Sequence, residues 1–308
     1  MRKKITIIGA GNVGATVALW AAVNELGDIV LFNRTPGLAK GKALDLKSAS
    51  PIGGFDLAIV GTDRYEDTKD SDVVVVTAGL SRKPGMSRDE LLDMNAALVR
   101  DICAQVAKHS PDSILIVVSN PVDAMVHVAY KASGFPKNRV MGMAGILDSS
   151  RFRTFISLEL GVSVEDISAL VLGGHGDFMV PLPQHASVNG IPLTDLLSED
   201  RINALIERTR HGGAEILSLE KVSSAFYAPG AAVDQMVEAI VRDKKRVLPC
   251  VTYLEGEYGI NGIFMGVPVL LGAGGVERVF ELKLNQAELA ALQKSAEAVR
   301  TLVAQVHF

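Results

Sequence analysis

Residues 4–14 read Lys-Ile-Thr-Ile-Ile-Gly-Ala-Gly-Asn-Val-Gly, an apolar run that breaks at Gly9 into a turn with glycine at positions 9, 11 and 14. The run has the length and β-branched content of a buried strand, and the residues after it carry the period of a helix. In that setting each glycine has its own task. Gly9 permits the tight turn, Gly11 lets backbone approach a pyrophosphate, and Gly14 lets the helix pack closely on the strand, while Asn12 and Val13 present helix N–H groups to the phosphates. By contrast Gly41-Lys42-Ala43-Leu44-Asp45-Leu46 lacks the glycine spacing and hydroxyl of a phosphate loop.

Working outward, the same alternation repeats. Segments 28–32, 58–61, 72–77, 113–119 and 139–143 read as further strands, most of them nearly continuous apolar runs, with helical patterns at 13–25, 36–49, 87–108 and 121–133 between them. Continuous runs mean burial on both faces, so the expected fold is α/β: a Rossmann-type doubly wound parallel sheet. Beyond residue 145 the rhythm changes. Helices are expected near 148–160, 201–219 and 231–241, short strands near 167–173, and two longer strands at 246–254 and 263–271, joined by a turn at Asn261-Gly262. A last helix is capped by Asn285 with Glu288 answering it, and Leu289, Leu292, Val299 and Val303 share its buried face. The domain division is 1–144 for dinucleotide binding and 145–308 for an α+β substrate and catalytic domain, without a flexible linker.

Composition narrows the function classes. Of 308 residues 48% are hydrophobic and 21% charged, and the net charge is −4, which offers no basic face for nucleic acid. The one basic run, 242–246, reads as a solvated turn. No stretch reaches the ~18 apolar residues of a membrane span. The first residues lead straight into the glycine turn, unlike a signal peptide, and two cysteines, Cys103 and Cys250, do not suggest a disulfide framework. The expectation is a cytoplasmic protein. No His, Cys or acidic cluster has metal-ligand spacing, so no metal is expected.

The chemistry concentrates in a few polar residues. Histidine exchanges a proton near neutral pH, a carboxylate can orient it and stabilise its charged form, and arginine grips carboxylates at two points. His175, set among Gly173, Gly174 and Gly176, has the composition of a residue presented to a cleft, whereas His109, His127, His185, His211 and His307 are read as structural. Asp148 and Arg151 are three apart on one helix, so they share a face; read blandly, they are a surface ion pair worth little.

The strings GAGNVG (9–14), TAGLSRKPGMSR (77–88), SNPVDAM (119–125), GILDSSRFR (145–153) and GGHGDFMVP (173–181), in this order, resemble the lactate/malate dehydrogenase family, most closely its malate dehydrogenase branch of lactate-dehydrogenase-like shape. The similarity runs from Ile5 to the last helix. It implies hydride transfer between a nicotinamide cofactor and a 2-hydroxy acid, with His175 as proton donor and acceptor and Asp148 as its partner. Arg151 then holds the carboxylate beside the carbonyl, Arg88 polarises the carbonyl oxygen, Asn120 hydrogen-bonds substrate, and Ser224 with Ala225 lines the pocket. Thr77, Gly79, Asn95 and Ser119 become cofactor contacts.

Arg82 decides the substrate: lactate dehydrogenases resemble the chain but carry a neutral residue there, and malate dehydrogenases carry arginine. Arg82, Arg88, Arg151 and protonated His175 against Asp148 leave a net positive site that a dicarboxylate neutralises better than pyruvate does. An arginine closed over a methyl group would be an unpaired, desolvated charge, enough for discrimination of roughly 10³-fold. Pro84 and Gly85 between these arginines suit a closing lid.

One departure from the family stands at the end of the second strand, where an acidic residue ordinarily meets the ribose hydroxyls. Here Asn33-Arg34-Thr35 removes the main penalty against a 2′-phosphate, so NADP is expected beside NAD, with Arg34 pairing the phosphate. On the bland reading Thr35 caps the next helix and Pro36 opens it. The expectation is thus an NAD(P)-dependent (S)-malate/oxaloacetate enzyme, a homodimer or homotetramer. The near alternative is a lactate or other 2-hydroxyacid dehydrogenase, and the distant one a non-catalytic nucleotide sensor.

Overall fold

The computed structural model describes residues 2–80 and 88–307. The first half alternates β1 (Lys4–Ile8), α1 (Asn12–Val23), β2 (Asp28–Phe32), α2 (Leu38–Gly53), β3 (Ile59–Thr62), β4 (Val73–Val76), α3 (Arg88–His109), β5 (Ile114–Val117), α4 (Val122–Ser133) and β6 (Val140–Gly142). These six strands are parallel and lie in the order β3-β2-β1-β4-β5-β6. The uninterrupted valines of β4 have a direct cause. Val73 and Val75 face one hydrophobic core with Ile5 and Ile7, while Val74 and Val76 face the other with Leu115 and Val117, so both faces of the strand must be apolar. The order reverses between β1 and β4, and the loops leaving their carboxyl ends diverge there into a crevice.

α5 (Gly145–Leu160) leads into β7 (Ile167–Ser168), β8 (Val171–Gly173), β9 (Met179–Pro181), β10 (Ser187–Val188), β11 (Ile191–Pro192), α6 (Leu193–Leu196), α7 (Glu199–Glu220), α8 (Tyr227–Val241), β12 (Arg246–Glu255), β13 (Asn261–Gly272), β14 (Gly275–Val279) and α9 (Gln286–Ala304). β12 pairs antiparallel with β6 through Val251 and Gly142, and β13, β8 and β9 continue from it, so one sheet runs through both halves of the chain. β7, β10 and β11 form a separate small sheet. α8 packs on α1 so closely that a Cβ on Gly230 would lie 2.4 Å from Thr16 Cγ2.

Three details differ from the sequence expectation. Thr35 and Pro36 neither cap nor open α2. Gly37, at φ 83°, interrupts the chain, and α2 begins at Leu38 without a side-chain cap. Asn261-Gly262 already belongs to β13; the reversal is made at residues 256–260, where Gly256 N–H donates to Ile260 O and Tyr258 takes φ 56°. The short strands β9, β10, β11 and β14 are additional to those expected. The capping box of Asn285 and Glu288 is present at α9, and Cys103 and Cys250 are free and buried.

Candidate active site

The glycine turn is built as its spacing requires. Gly9 sits at φ 115°, and a Cβ on Gly14 would fall 1.9 Å from Gly9 O, so helix and strand meet with no room for a side chain. Thr77, leaving β4, fastens the turn by donating its hydroxyl to Gly9 O at 2.9 Å. A Cβ on Gly11 would meet nothing within 4 Å, so the backbone there is open to a ligand. Open backbone at the N-terminus of α1 fits the pyrophosphate of a dinucleotide.

The crevice continues as a cleft of about 930 Å³ that Val13, Thr77, Gly79 and Ser119 line on the nucleotide side. Ser119 donates to Ala78 O at 2.5 Å. Asn12 is exposed at the turn. Asn95 is placed differently from the others: it is 1% exposed, accepts from Leu80 N at 2.8 Å and donates to Asn120 O at 2.9 Å, bracing the exits of β4 and β5. Asn33 Oδ1 accepts from Ala10 N at 3.3 Å, and Arg34 is exposed with Asp101 Oδ2 4.0 Å from it.

The polar centre is organised by one carboxylate. Asp148 lies in the first turn of α5, its side chain 2% exposed, with Oδ2 2.9 Å from His175 Nδ1 and Oδ1 3.5 Å from an Arg151 guanidinium nitrogen. This is no surface ion pair. An ionised Asp148 only accepts, so Nδ1 carries the proton and Nε2 is left to exchange one with a ligand. Burial works against the charged imidazole, but Asp148, and behind it Asp123, outweigh it and hold the His175 pKa above the ordinary value. Burial lowers the pKa of Arg151, which Asp148 partly offsets. The Arg151 Nε is buried without a partner, and α7 makes space for the guanidinium with Gly213. A buried, under-satisfied guanidinium at a cleft is suited to a carboxylate.

The loop bearing His175 is held from two sides by residues that sequence reading missed. His175 N–H donates to Asp123 Oδ2 at 2.9 Å, and Gly174 N–H donates to Ser295 Oγ at 3.0 Å, which itself donates to Phe178 O at 2.6 Å. The glycines here answer close packing: Gly173 takes φ 86°, and a Cβ on Gly174 would lie 2.9 Å from Val299 Cγ2. Asp123 is 2% exposed, its Oδ1 has no partner, and burial pushes its pKa up to about 6. Asp123 and Asp89 both line the cleft, two acids that the charge balance expected from the sequence left out. The signal was present in SNPVDAM, an acid between Val122 and Ala124 in the first turn of the helix.

Asn120, Arg151, Ser224, Ala225 and His175 line the same cleft, and among the described residues His175 is the only histidine that does. Arg82 and the expected lid lie outside the described residues; Arg88 opens α3, and its side chain also lies outside them. Among the described residues no group of three or more His, Cys, Asp or Glu is placed to hold a metal ion, and no helix is long and apolar enough to cross a membrane.

Comparison with known proteins gives a consistent set. The model of the lactate/malate dehydrogenase NAD-binding domain matches residues 3–142, and that of the lactate/malate dehydrogenase α/β C-terminal domain matches residues 146–307. The chain is 58% identical to a malate dehydrogenase of Roseiflexus castenholzii over 99% of its own length and 98% of the relative's. It superposes with TM-score 0.96 on the apo malate dehydrogenase of Picrophilus torridus, at 49% identity, covering 99% of this chain and 97% of that one. It also superposes with TM-score 0.95 on a lactate dehydrogenase of Cryptosporidium parvum complexed with lactic acid and nicotinamide adenine dinucleotide, at 40% identity, covering 99% and 98%. Backbone shape therefore does not separate the two activities, and the sequence relatives point to one of them. With its glycine turn, its buried Asp148 between His175 and Arg151, and both halves matched, the chain belongs to the lactate/malate dehydrogenase family.

Proposed function

We propose that this chain is a malate dehydrogenase, interconverting (S)-malate and oxaloacetate with a nicotinamide cofactor. The observation that carries the reading is Asp148, which holds a proton-exchanging ring and a carboxylate-seeking guanidinium at one end of a cleft whose other end is the glycine turn. Names of close relatives support the same substrate pair.

A nicotinamide dinucleotide, when bound, accepts or supplies the hydride. Its pyrophosphate would be held by Gly11 and the first amides of α1, with Asn12, Val13, Thr77, Gly79 and Ser119 around it. The remaining work falls to the chain's own side chains. Arg151 binds the carboxylate next to the reacting carbon. His175 Nε2 gives its proton to the carbonyl oxygen during reduction and takes the hydroxyl proton during oxidation, and Asp148 orients the ring and stabilises its charged form. Arg88 stabilises charge on the carbonyl oxygen, Asn120 hydrogen-bonds it, and Ser224 bounds the pocket. Arg82 takes the second carboxylate. Asn95 contributes by bracing the two strand exits on which the cofactor rests.

The cofactor reading extends to NADP(H). Asn33 replaces the acid that would repel a 2′-phosphate, and Arg34 stands exposed beside it. Comparing kcat/KM for NADPH and NADH tests this; a large advantage for NADH rejects it. Unpaired, buried cysteines support a cytoplasmic setting, and exposed Leu19, Trp20 and Val23 on α1 support a homodimer or homotetramer.

Enzyme and nucleotide sensor are separated by His175→Asn. An enzyme loses nearly all turnover of oxaloacetate while still binding NADH in a fluorescence titration. If wild-type protein binds NADH and turns over neither oxaloacetate nor pyruvate, the proposed activity is wrong.

A further inference from the structure

Beside the nucleotide end of the cleft, the ends of β2 and β3 and the C-terminal half of α3 enclose a second depression of about 530 Å³, with Arg34, Asp63, Arg64, Tyr65, Asp101 and Lys108 in its wall. Its position follows from the chain path. Arg34 comes directly after Asn33, whose side chain holds the glycine turn at Ala10, and in a dinucleotide fold the adenosine ribose sits at the end of the second strand.

The basic residues here are not equally engaged. Arg64 Nε and NH2 donate to Asp67 at 3.3 and 2.7 Å. Lys40 lies 3.4 Å from Asp63. Arg34 faces Asp101 across the depression at 4.0 Å, and both side chains are more than half exposed, at 57% and 64%. A pair that long and that wet is weak, so Arg34 can exchange Asp101 for another anion. A phosphate monoester is the stronger claimant, since it carries close to two charges and three acceptor oxygens.

We propose that Asp101 is a specificity-determining residue for the cofactor: it competes with a ribose 2′-phosphate for Arg34. The proposal rests on the NADP(H) reading above. When Arg34 turns to the phosphate it must give up Asp101, a cost that binding NAD(H) does not carry. Arg34 and Asp101 thus act as opposed weights on one choice, and α3 contributes to that choice from outside the glycine turn and the end of β2.

The test is calorimetric titration with adenosine 2′,5′-bisphosphate and with 5′-AMP, in the wild type, Asp101→Asn, Arg34→Ala and the double variant. The affinity ratio of bisphosphate to AMP is expected to rise about fivefold in Asp101→Asn, fall about tenfold in Arg34→Ala, and show no gain from Asp101→Asn once Arg34 is gone. A ratio that falls in Arg34→Ala but is unmoved by Asp101→Asn removes Asp101 from the proposal and leaves the NADP(H) reading standing. An equal gain in the Arg34→Ala background shows a general field acting without Arg34 and overturns the competition. If the wild type binds both nucleotides alike and no variant changes the ratio, the 2′-phosphate reading itself has failed.

Discussion

Asp148 divides its two oxygens between His175 and Arg151, and on the roles proposed for them that division sets the pH behaviour. Reduction needs His175 protonated, and its raised pKa keeps the donor charged to higher pH than a free imidazole. Reduction should therefore fall as pH rises through that raised value, while oxidation, which needs the neutral ring, rises. Burial opposes the charged ring and Asp148 is the largest influence sustaining it, so in Asp148→Asn the fall should move to lower pH, with kcat down about 10²–10⁴-fold. A pH profile of kcat/KM in both directions checks the shift; an unmoved profile would mean that Asp148 does not tune the histidine. At this scale the sequence was legible where a residue's surroundings were unusual, as with His175 among glycines. Asp123 escaped notice for a physical reason: an acid in the first turn of a helix is well explained by the helix dipole alone. Only the fold reveals that its carboxylate receives His175 N–H from 52 positions away.

Elements were legible wherever burial imposed a period. The parallel strands are continuous apolar runs because helices cover both faces, and α9 was visible from its cap and its apolar stripe. Boundaries set by one backbone angle were less so. Gly37 at φ 83° displaces the start of α2, although by residue type Thr35-Pro36 is as good a start. Short strands such as β14 take their register from β13, not from a pattern of their own. The glycine turn offers a direct test, because an alanine at Gly14 would drive its Cβ into Gly9 O. Gly14→Ala should weaken NADH binding by about tenfold or more in a fluorescence titration, since the turn must shift to accept even one methyl. The junction of α1 and α8 offers another. Asp234 is 6% exposed and bonded to Asn24 Nδ2 at 2.6 Å, and burial pushes its pKa up from 3.8 to about 6. Folded protein therefore keeps a proton that unfolded chain releases between these values, so this group's contribution to stability is lost as pH rises from about 4 through 6. Asp234→Asn should be more stable than wild type by about 1–3 kcal/mol at pH 8, with the gain shrinking towards pH 4. Thermal unfolding at the two pH values measures it, and an equal difference at both would refute the assignment.

At the scale of the whole molecule, a single sheet crosses from the cofactor-binding half into the second half, and the cleft lies along the carboxyl ends of its parallel strands. The class of this architecture was legible from alternating periods, and its continuity was not, because the pairing of β6 with β12 joins residues more than a hundred positions apart. α1 turns Leu19, Trp20 and Val23 outward at 43%, 41% and 48% exposure. Light scattering should return the mass of a dimer or tetramer; a monomer at micromolar concentration would exclude α1 as a stable contact between copies. Substrate choice belongs to this scale as well, because the proposed reading draws on Arg151 of the second half and on Arg82 and Arg88 of the first. The matched lactate dehydrogenase shares the backbone, so selection of the acid falls to side chains, and on the proposed reading to their charge. The most direct test is kcat/KM for oxaloacetate against pyruvate with NADH. The account predicts a ratio of about 10³ or more in favour of oxaloacetate; a ratio near one, or a preference for pyruvate, would contradict it.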